Sequence, residues 1–75
     1  MLARRIKEGL SRGEPAIGTW MSTAHPSIAE ILADAGYDFV VVDTEHTAID
    51  VSEVLRLIIA IERRGSVPLV RLAGI

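Results

Sequence analysis

The sequence predicts an α/β fold in which parallel strands alternate with helices. Residues 39–42, Phe-Val-Val-Val, form an unbroken apolar run that is typical of a strand buried on both faces, as in a parallel sheet. Strand-like segments precede and follow this run, and segments with helical spacing of their apolar residues separate the three. Strand, helix and strand in succession form a βαβ unit. The predicted order is a helix, then β-α-β-α-β, in one domain over residues 1–75.

The first predicted helix covers residues 1–12. Leu2, Ile6 and Leu10 follow one another at i, i+4 and i+8, which places them on one stripe. Gly13 is the expected stop, because glycine takes the left-handed conformation after a helix without steric cost. A helix in front of the first strand is placed to close the bottom of a barrel.

The first predicted strand covers residues 16–21. Gly18 weakens the strand preference and is typical of a place where another group approaches the backbone closely. Trp20, the single tryptophan of the sequence, lies near the carboxyl end of this strand. Its side chain either packs in the core or at its rim, or it forms an aromatic wall of a ligand pocket.

The second predicted helix begins at Pro26, because a proline at the first helical position loses no hydrogen bond. Gly36 is its expected end. Between them, apolar residues follow at i, i+3, i+4 and i+7, namely Ile28, Ile31, Leu32 and Ala35.

The third predicted helix begins with a capping box formed by Asp50 and Glu53, and Gly65 ends it. Its inward face is predicted to carry Val51, Val54, Leu55, Ile58 and either Ile61 or Glu62. The third strand follows over residues 67–71, with Pro68 near its start, where proline is tolerated.

Polar residues lie at the carboxyl end of every predicted strand. They are Thr19, Ser22 and His25 for the first, Asp43, Glu45 and His46 for the second, and Arg71 for the third. The carboxyl ends of parallel strands share one edge, where ligands bind in such folds. A histidine moves protons near neutral pH, a neighbouring carboxylate fixes its tautomer, and an arginine binds a carboxylate or an enolate with two hydrogen bonds. These residues therefore predict an acid/base site in which Arg71 binds an anion; we call Arg71 the anion clamp.

Simpler interpretations of the same residues stay open. Asp43 can serve only to form a loop, and Arg71 can simply pair with a nearby acid such as Asp43. A loop histidine is often just solvated. A third interpretation is a metal site, because His25, His46 and either Asp43 or Glu45 supply two histidines and one carboxylate.

Composition excludes several classes of function. The sequence has no cysteine, which rules out disulfides and thiolate metal sites and fits a cytoplasmic protein. A net charge of −2 without a basic stripe argues against a nucleic-acid partner. The apolar runs are far too short to span a bilayer, so no membrane partner is expected. A hydrophobic content of 49% in 75 residues suits a piece of a larger parallel fold.

Four segments taken together carry a family resemblance. They are Ile-Gly-Thr-Trp at 17–20, Ala-Gly-Tyr-Asp-Phe at 35–39, Val-Asp-Thr-Glu-His at 42–46 and Pro-Leu-Val-Arg at 68–71. In this order they resemble the HpcH/HpaI aldolase family of the phosphoenolpyruvate-binding superfamily. The resemblance implies a class II, metal-dependent pyruvate aldolase on a (β/α)8 TIM barrel. Residues 1–75 would be its amino-terminal portion, with the remainder of the barrel absent. Such enzymes reversibly cleave 4-hydroxy-2-oxoacids to pyruvate, or a related 2-oxoacid, and an aldehyde.

The resemblance also implies roles for individual residues. His46 would be the general acid/base, Asp43 would orient it, and Arg71 would bind the 2-oxoacid and stabilise the pyruvate enolate. Trp20 would line the pocket. Glu45 would support the water shell of a divalent metal ion (Mg, Mn or Co), whose direct ligands are expected beyond residue 75. The full-length protein is expected to be a homo-oligomer whose partners are small molecules.

Two alternative hypotheses belong beside the aldolase. In one, the 75-residue chain is an inactive fragment that self-associates through its sheet edges, where unpaired backbone groups are exposed. In the other, the protein is a citrate-lyase-like or synthase-like relative of the same superfamily, with the same pocket and a different reaction.

Overall fold

The predicted element order is present in the computed structural model, which describes residues 2–45 and 47–72, with side chains from residue 4 onward. The elements are α1 (Leu2–Ser11), β1 (Gly18–Met21), α2 (Pro26–Asp34), β2 (Phe39–Asp43), α3 (Val51–Arg63) and β3 (Val67–Arg71). The strands are parallel and lie in the order β1-β2-β3. The predicted α/β class is therefore confirmed. Strand β1 starts at Gly18, two residues later than predicted, and Met1 of the predicted first helix lies outside the described residues.

The central strand β2 determines which residues share a face of the sheet. Val40 and Val42 are fully buried beneath the helices. Because side chains alternate along a strand, Phe39, Val41 and Asp43 lie on the opposite face. In the parallel register, Trp20 of β1 joins that same face, as do the β3 partners of these residues, namely Val67, Leu69 and Arg71.

The hydrophobic core lies between the sheet and the two helices α2 and α3. It consists of Met21, Ala29, Val40, Val42, Leu57, Ala60 and Ile61. Leu57 and Ile61 are fully buried, and burying a side chain of this size contributes roughly 1.5–3 kcal/mol. The small side chains of Ala29 and Ala60 suit the close packing of α2 and α3 against each other and against the sheet.

The inward face of α3 differs from the prediction. Leu57, Ala60 and Ile61 are buried, and Val54 packs against the core, as predicted for Val54 and Ile61. Leu55, however, is 56% exposed, because it lies two residues, or roughly 160° around the helix, from Leu57.

Other apolar residues of the predicted stripes also face outward, and Val51 and Ile31 are the most exposed of them. Val51, at the first position of α3, is 77% exposed. Helix α2 is buried through Ala29 and Ala33, one turn apart, whereas Ile31 is 63% exposed. Apolar residues occur on both sides of these helices, so their spacing alone did not determine which side meets the sheet.

Several local predictions are confirmed. Asp50 Oδ1 accepts a hydrogen bond from the Glu53 backbone N–H at 2.8 Å, and the Asp50 N–H donates to Glu53 Oε1 at 3.1 Å, which completes the capping box. Gly36 follows α2 with φ +97°, the left-handed conformation expected there. A Cβ at Gly18 would lie only 2.1 Å from Cε2 of Phe39, so the predicted close approach is made by that ring.

The two ends and two faces of the sheet differ in what covers them. Arg5, Ile6 and Gly9 of α1 border a cleft at the amino ends of the strands, the predicted position for this helix. On the face opposite α2 and α3, Trp20 is 58% and Leu69 is 47% exposed. Within residues 2–45 and 47–72, this face has no covering layer. None of the described helices combines the length and apolarity that a membrane crossing requires.

Candidate functional site

The carboxyl ends of β2 and β3 are joined by backbone hydrogen bonds. Asp43 and Arg71 are register partners, so both end their strands at the same level. The Thr44 N–H donates to the Arg71 carbonyl at 3.0 Å, and the Thr44 hydroxyl donates to the same oxygen at 2.5 Å. The loop that leaves β2 is therefore held against the end of β3, as the prediction of a shared strand-end site requires.

Asp43 shapes the loop that follows it. Its Oδ1 accepts the Glu45 N–H at 2.9 Å, and its backbone carbonyl accepts the Thr47 hydroxyl at 2.5 Å. An aspartate that accepts the N–H two residues ahead forms a compact turn. His46, the predicted acid/base, lies outside the described residues, so its role and its orientation by Asp43 stay predictions.

Arg71 forms an ion pair with an acid from this same loop. Its Nε lies 2.8 Å from Glu45 Oε2, a distance typical of a charge-assisted hydrogen bond. The two side chains are 42% and 34% exposed. The acid paired with Arg71 is Glu45 rather than Asp43, the partner considered from the sequence. The guanidinium is thereby held at the edge where the predicted ligand would bind.

Trp20, on the opposite outer strand β1, contacts the same guanidinium on the open face of the sheet. The Arg71 Cζ lies 5.6 Å from the centroid of the Trp20 ring, within the range of a cation–π interaction. Strand β2 separates β1 from β3, so this contact spans the central strand. Trp20 is not a core residue. It lies on the open face of the sheet beside the predicted anion clamp.

His25 occupies the N-cap position of α2, with an extended backbone and no capping hydrogen bond from its side chain. Among residues 2–45 and 47–72, no three histidine, aspartate or glutamate side chains lie close enough together to hold a metal ion. Glu45 is engaged by Arg71, and Asp43 holds the loop. The described residues therefore do not fit a metal ion by themselves, and its direct ligands would have to lie elsewhere. The alternative site with His25 and His46 includes an undescribed residue and stays untested.

The sequence located the strand-end residues but did not predict two of their contacts. Glu45 and Trp20 both contact Arg71. The role of Glu45 in a metal's water shell and that of Trp20 in the pocket wall stay predictions. Alternation along the strands could have placed Trp20 and Arg71 on one face. The register of the strands brings the two side chains within reach of each other, and no pattern in the sequence predicts that register.

Comparison with known proteins identifies the family of this chain. The sequence model of the HpcH/HpaI aldolase/citrate lyase family matches residues 16–75, which include all three strands and the loops that follow the first two. The chain belongs to this family. The resemblance seen in its four sequence segments is thereby confirmed.

Two of the similar proteins are aldolases. The chain is 41% identical over 66 residues to the hydroxypyruvate/pyruvate aldolase of Roseobacter denitrificans, covering 88% of the chain and 26% of that protein. It is 38% identical over 72 residues to the 2-keto-3-deoxy-L-rhamnonate aldolase of Salmonella gallinarum, covering 96% of the chain and 27% of that protein. The chain thus spans about a quarter of the length of these relatives.

Solved structures of the family share the arrangement of strands and helices. The citrate synthase SbnG superposes with a TM-score of 0.86 at 38% identity, covering 93% of the chain and 29% of that protein. The HpcH/HpaI aldolase of Desulfitobacterium hafniense superposes with a TM-score of 0.80 at 34% identity, covering 93% and 27%. The predicted fold class, the first helix and β-α-β-α-β of a (β/α)8 barrel, is confirmed by this likeness.

Proposed function

We propose that the protein carrying residues 1–75 is a carbon–carbon lyase that cleaves a 4-hydroxy-2-oxoacid to pyruvate, or a related 2-oxoacid, and an aldehyde. The observation that carries the proposal is the guanidinium of Arg71 at the strand ends, held by Glu45 and Trp20 next to Asp43. Two aldolases among the relatives support the reaction class.

Arg71 supplies the positive charge that this reaction needs. When the bond between C3 and C4 breaks, its electron pair moves toward the C2 carbonyl and produces an enolate oxygen. A guanidinium placed beforehand near that oxygen stabilises the charge as it develops. Glu45 engages Nε at 2.8 Å. Nη1 and Nη2 are the donors we assign to the 2-oxoacid.

His46 and Asp43 are assigned the proton transfers. Cleavage first requires removal of the proton from the C4 hydroxyl, so that this oxygen becomes the carbonyl oxygen of the aldehyde. The enolate must then gain a proton at C3. A histidine at the end of β2 is suited to both steps near neutral pH. Asp43, whose carboxylate already organises the loop, is assigned to orient the imidazole.

The proposal also includes a metal cofactor, a cellular location and an assembly. A divalent cation (Mg, Mn or Co) bound by ligands outside the described residues would polarise the 2-oxoacid carbonyl. A cytoplasmic location and a homo-oligomeric assembly are also part of the proposal, and so is a remainder of the barrel beyond these residues.

The assignment of His46 is tested by comparing two reactions of one protein. Aldol cleavage needs a base for the C4 hydroxyl, whereas decarboxylation of oxaloacetate produces the same enolate with no hydroxyl proton to remove, and water can supply the proton that this enolate gains at C3. His46→Asn should therefore slow aldol cleavage by about a hundredfold or more and leave oxaloacetate decarboxylation within a few-fold. Steady-state kinetics of both reactions provide the measurement. Unchanged aldol turnover would refute the role of His46.

A citrate-forming condensation is the second candidate, because the citrate synthase SbnG superposes closely on the chain. An enolate-stabilising arginine would serve that reaction too. Product analysis separates the two candidates. Citrate formation without cleavage of 4-hydroxy-2-oxoacids would favour the synthase.

Self-association is the candidate of another class. Strands β1 and β3 are the outer strands of the described sheet, and Trp20 and Leu69 expose apolar surface on its open face. Size-exclusion chromatography of the 75-residue chain tests this candidate. A single monomeric peak at all concentrations would count against it.

A further inference from the structure

We propose that Trp20 is a positioning residue for Arg71. The indole face of Trp20 and the carboxylate of Glu45 together set the plane of the Arg71 guanidinium, which receives the 2-oxoacid. The inference rests on the proposed function, because it requires Arg71 to bind substrate. It starts from two contacts made by one group. Nε of Arg71 lies 2.8 Å from Glu45 Oε2, and Cζ lies 5.6 Å from the Trp20 ring centroid.

The register shows how far the Arg71 side chain must reach for this contact. Trp20, Val41 and Leu69 form one row across the open face, and Arg71 lies two residues beyond Leu69 on β3. The two side chains therefore meet across the central strand. Val41 is only 9% exposed although the helices pack on the opposite face.

The two contacts restrain different motions of the guanidinium. The ion pair with Glu45 is made at Nε, on one edge of the group, and restrains its rotation. The Trp20 ring faces the Arg71 Cζ and restrains its tilt. The edge formed by Nη1 and Nη2 is the one assigned to the 2-oxoacid. Two-point binding of a carboxylate requires both N–H groups in one plane, so fixing that plane in advance lowers the ordering cost of binding.

A wall role and a positioning role predict different behaviour in a double-mutant cycle. If Trp20 acts by orienting the Arg71 guanidinium, replacing Trp20 must have no effect once position 71 carries a side chain without a planar group. Lysine is such a side chain, because its ammonium is a compact charge with three rotatable donors. If Trp20 touches the substrate directly, the loss on its replacement is the same with arginine or lysine.

The test uses Trp20→Leu, Trp20→Phe, Arg71→Lys and the double variant Trp20→Leu/Arg71→Lys in the protein that carries these residues. The readout is kcat/KM for oxaloacetate decarboxylation. Trp20→Leu should lower it about tenfold, and Trp20→Phe should restore most of the loss because a ring is kept. In the Arg71→Lys background, Trp20→Leu should cause little further loss.

Leu69→Ala is the matched control, because Leu69 lies in the same row on the same face and is similarly exposed, at 47% against 58% for Trp20. Its effect should be equal in both backgrounds. Thermal unfolding checks that the variants fold, and Trp20→Met serves as a second non-aromatic variant.

The possible outcomes separate the two proposals. Equal losses from Trp20→Leu in the two backgrounds, or equal losses from Trp20→Leu and Trp20→Phe, would overturn the positioning role while leaving the lyase proposal intact. Coupling of the same size for Leu69→Ala would do the same. A wild-type protein without turnover would overturn the proposed function and this inference with it.

Discussion

At the scale of the residue, the strand-end site is a set of contacts around one guanidinium. The sequence predicted that Asp43 and Arg71 lie at one edge, because parallel strands carry their carboxyl ends together, and the register confirms this placement. It did not predict that Glu45 would pair with Arg71 or that Trp20 would face it. Those contacts depend on side-chain conformations and on strand register, and neither leaves a periodic pattern.

Gly18 is the residue where packing leaves least room. A Cβ there would lie 2.1–2.4 Å from three atoms of the Phe39 ring, so Gly18→Ala forces that ring to move. We expect a loss of roughly 1–3 kcal/mol in the free energy of unfolding, as for other overpacked sites. Denaturant unfolding of the protein measures it. The same substitution in a Phe39→Leu background should cost less, and an equal cost in both backgrounds would contradict this packing account.

At the scale of the element, the signals that act locally were the accurate ones. The Asp50 and Glu53 capping box, Pro26 at the start of α2 and the glycine after each helix all mark ends that the structure shows. The prediction of which side of α3 is buried was less accurate, since Leu55 faces outward. A local cap needs only neighbouring residues. The choice between two apolar helix faces depends on the sheet beneath.

The capping box makes a prediction about pH. Hydrogen bonds from the Glu53 backbone N–H and the Ser52 hydroxyl, with the charge of Arg56 adding to them, lower the pKa of Asp50 below its ordinary value. A carboxyl whose pKa is lower in the folded state stabilises the fold above its unfolded pKa of about 3.9. That contribution is lost as the pH falls through the folded pKa.

Asp50→Asn isolates this effect, because asparagine caps a helix about as well but does not titrate. The wild type should have the higher Tm at pH 7, and the difference between the two proteins should shrink as the pH falls below about 4. Thermal unfolding across this pH range provides the measurement. A Tm difference independent of pH would show that the charge of Asp50 contributes nothing.

At the scale of the whole molecule, the described residues form one covered and one open sheet face. Helices α2 and α3 bury Val40 and Val42, while the side that carries Trp20, Leu69 and Arg71 has no layer over it within the described residues. The family match and the superposed structures explain the arrangement as a portion of a larger fold, of which the chain spans 26–29% in the relatives. Arg71, the proposed anion-binding residue, lies on that open face.

The central claim is that Arg71 stabilises the enolate, and Arg71→Lys tests it most directly when compared with Arg64→Lys. Arg64 is a matched control, because it is also paired with acids, Glu30 and Asp34, and is 46% exposed against 42% for Arg71. Lysine keeps the charge in both variants but cannot reproduce the planar two-point contact.

The measurement is kcat/KM for aldol cleavage and for oxaloacetate decarboxylation by the wild type and both variants. Arg71→Lys should lower both by about a hundredfold or more, as loss of a preorganised charge-stabilising donor does, and Arg64→Lys should leave both unchanged. Equal activity of the two variants in either reaction would contradict the role of Arg71.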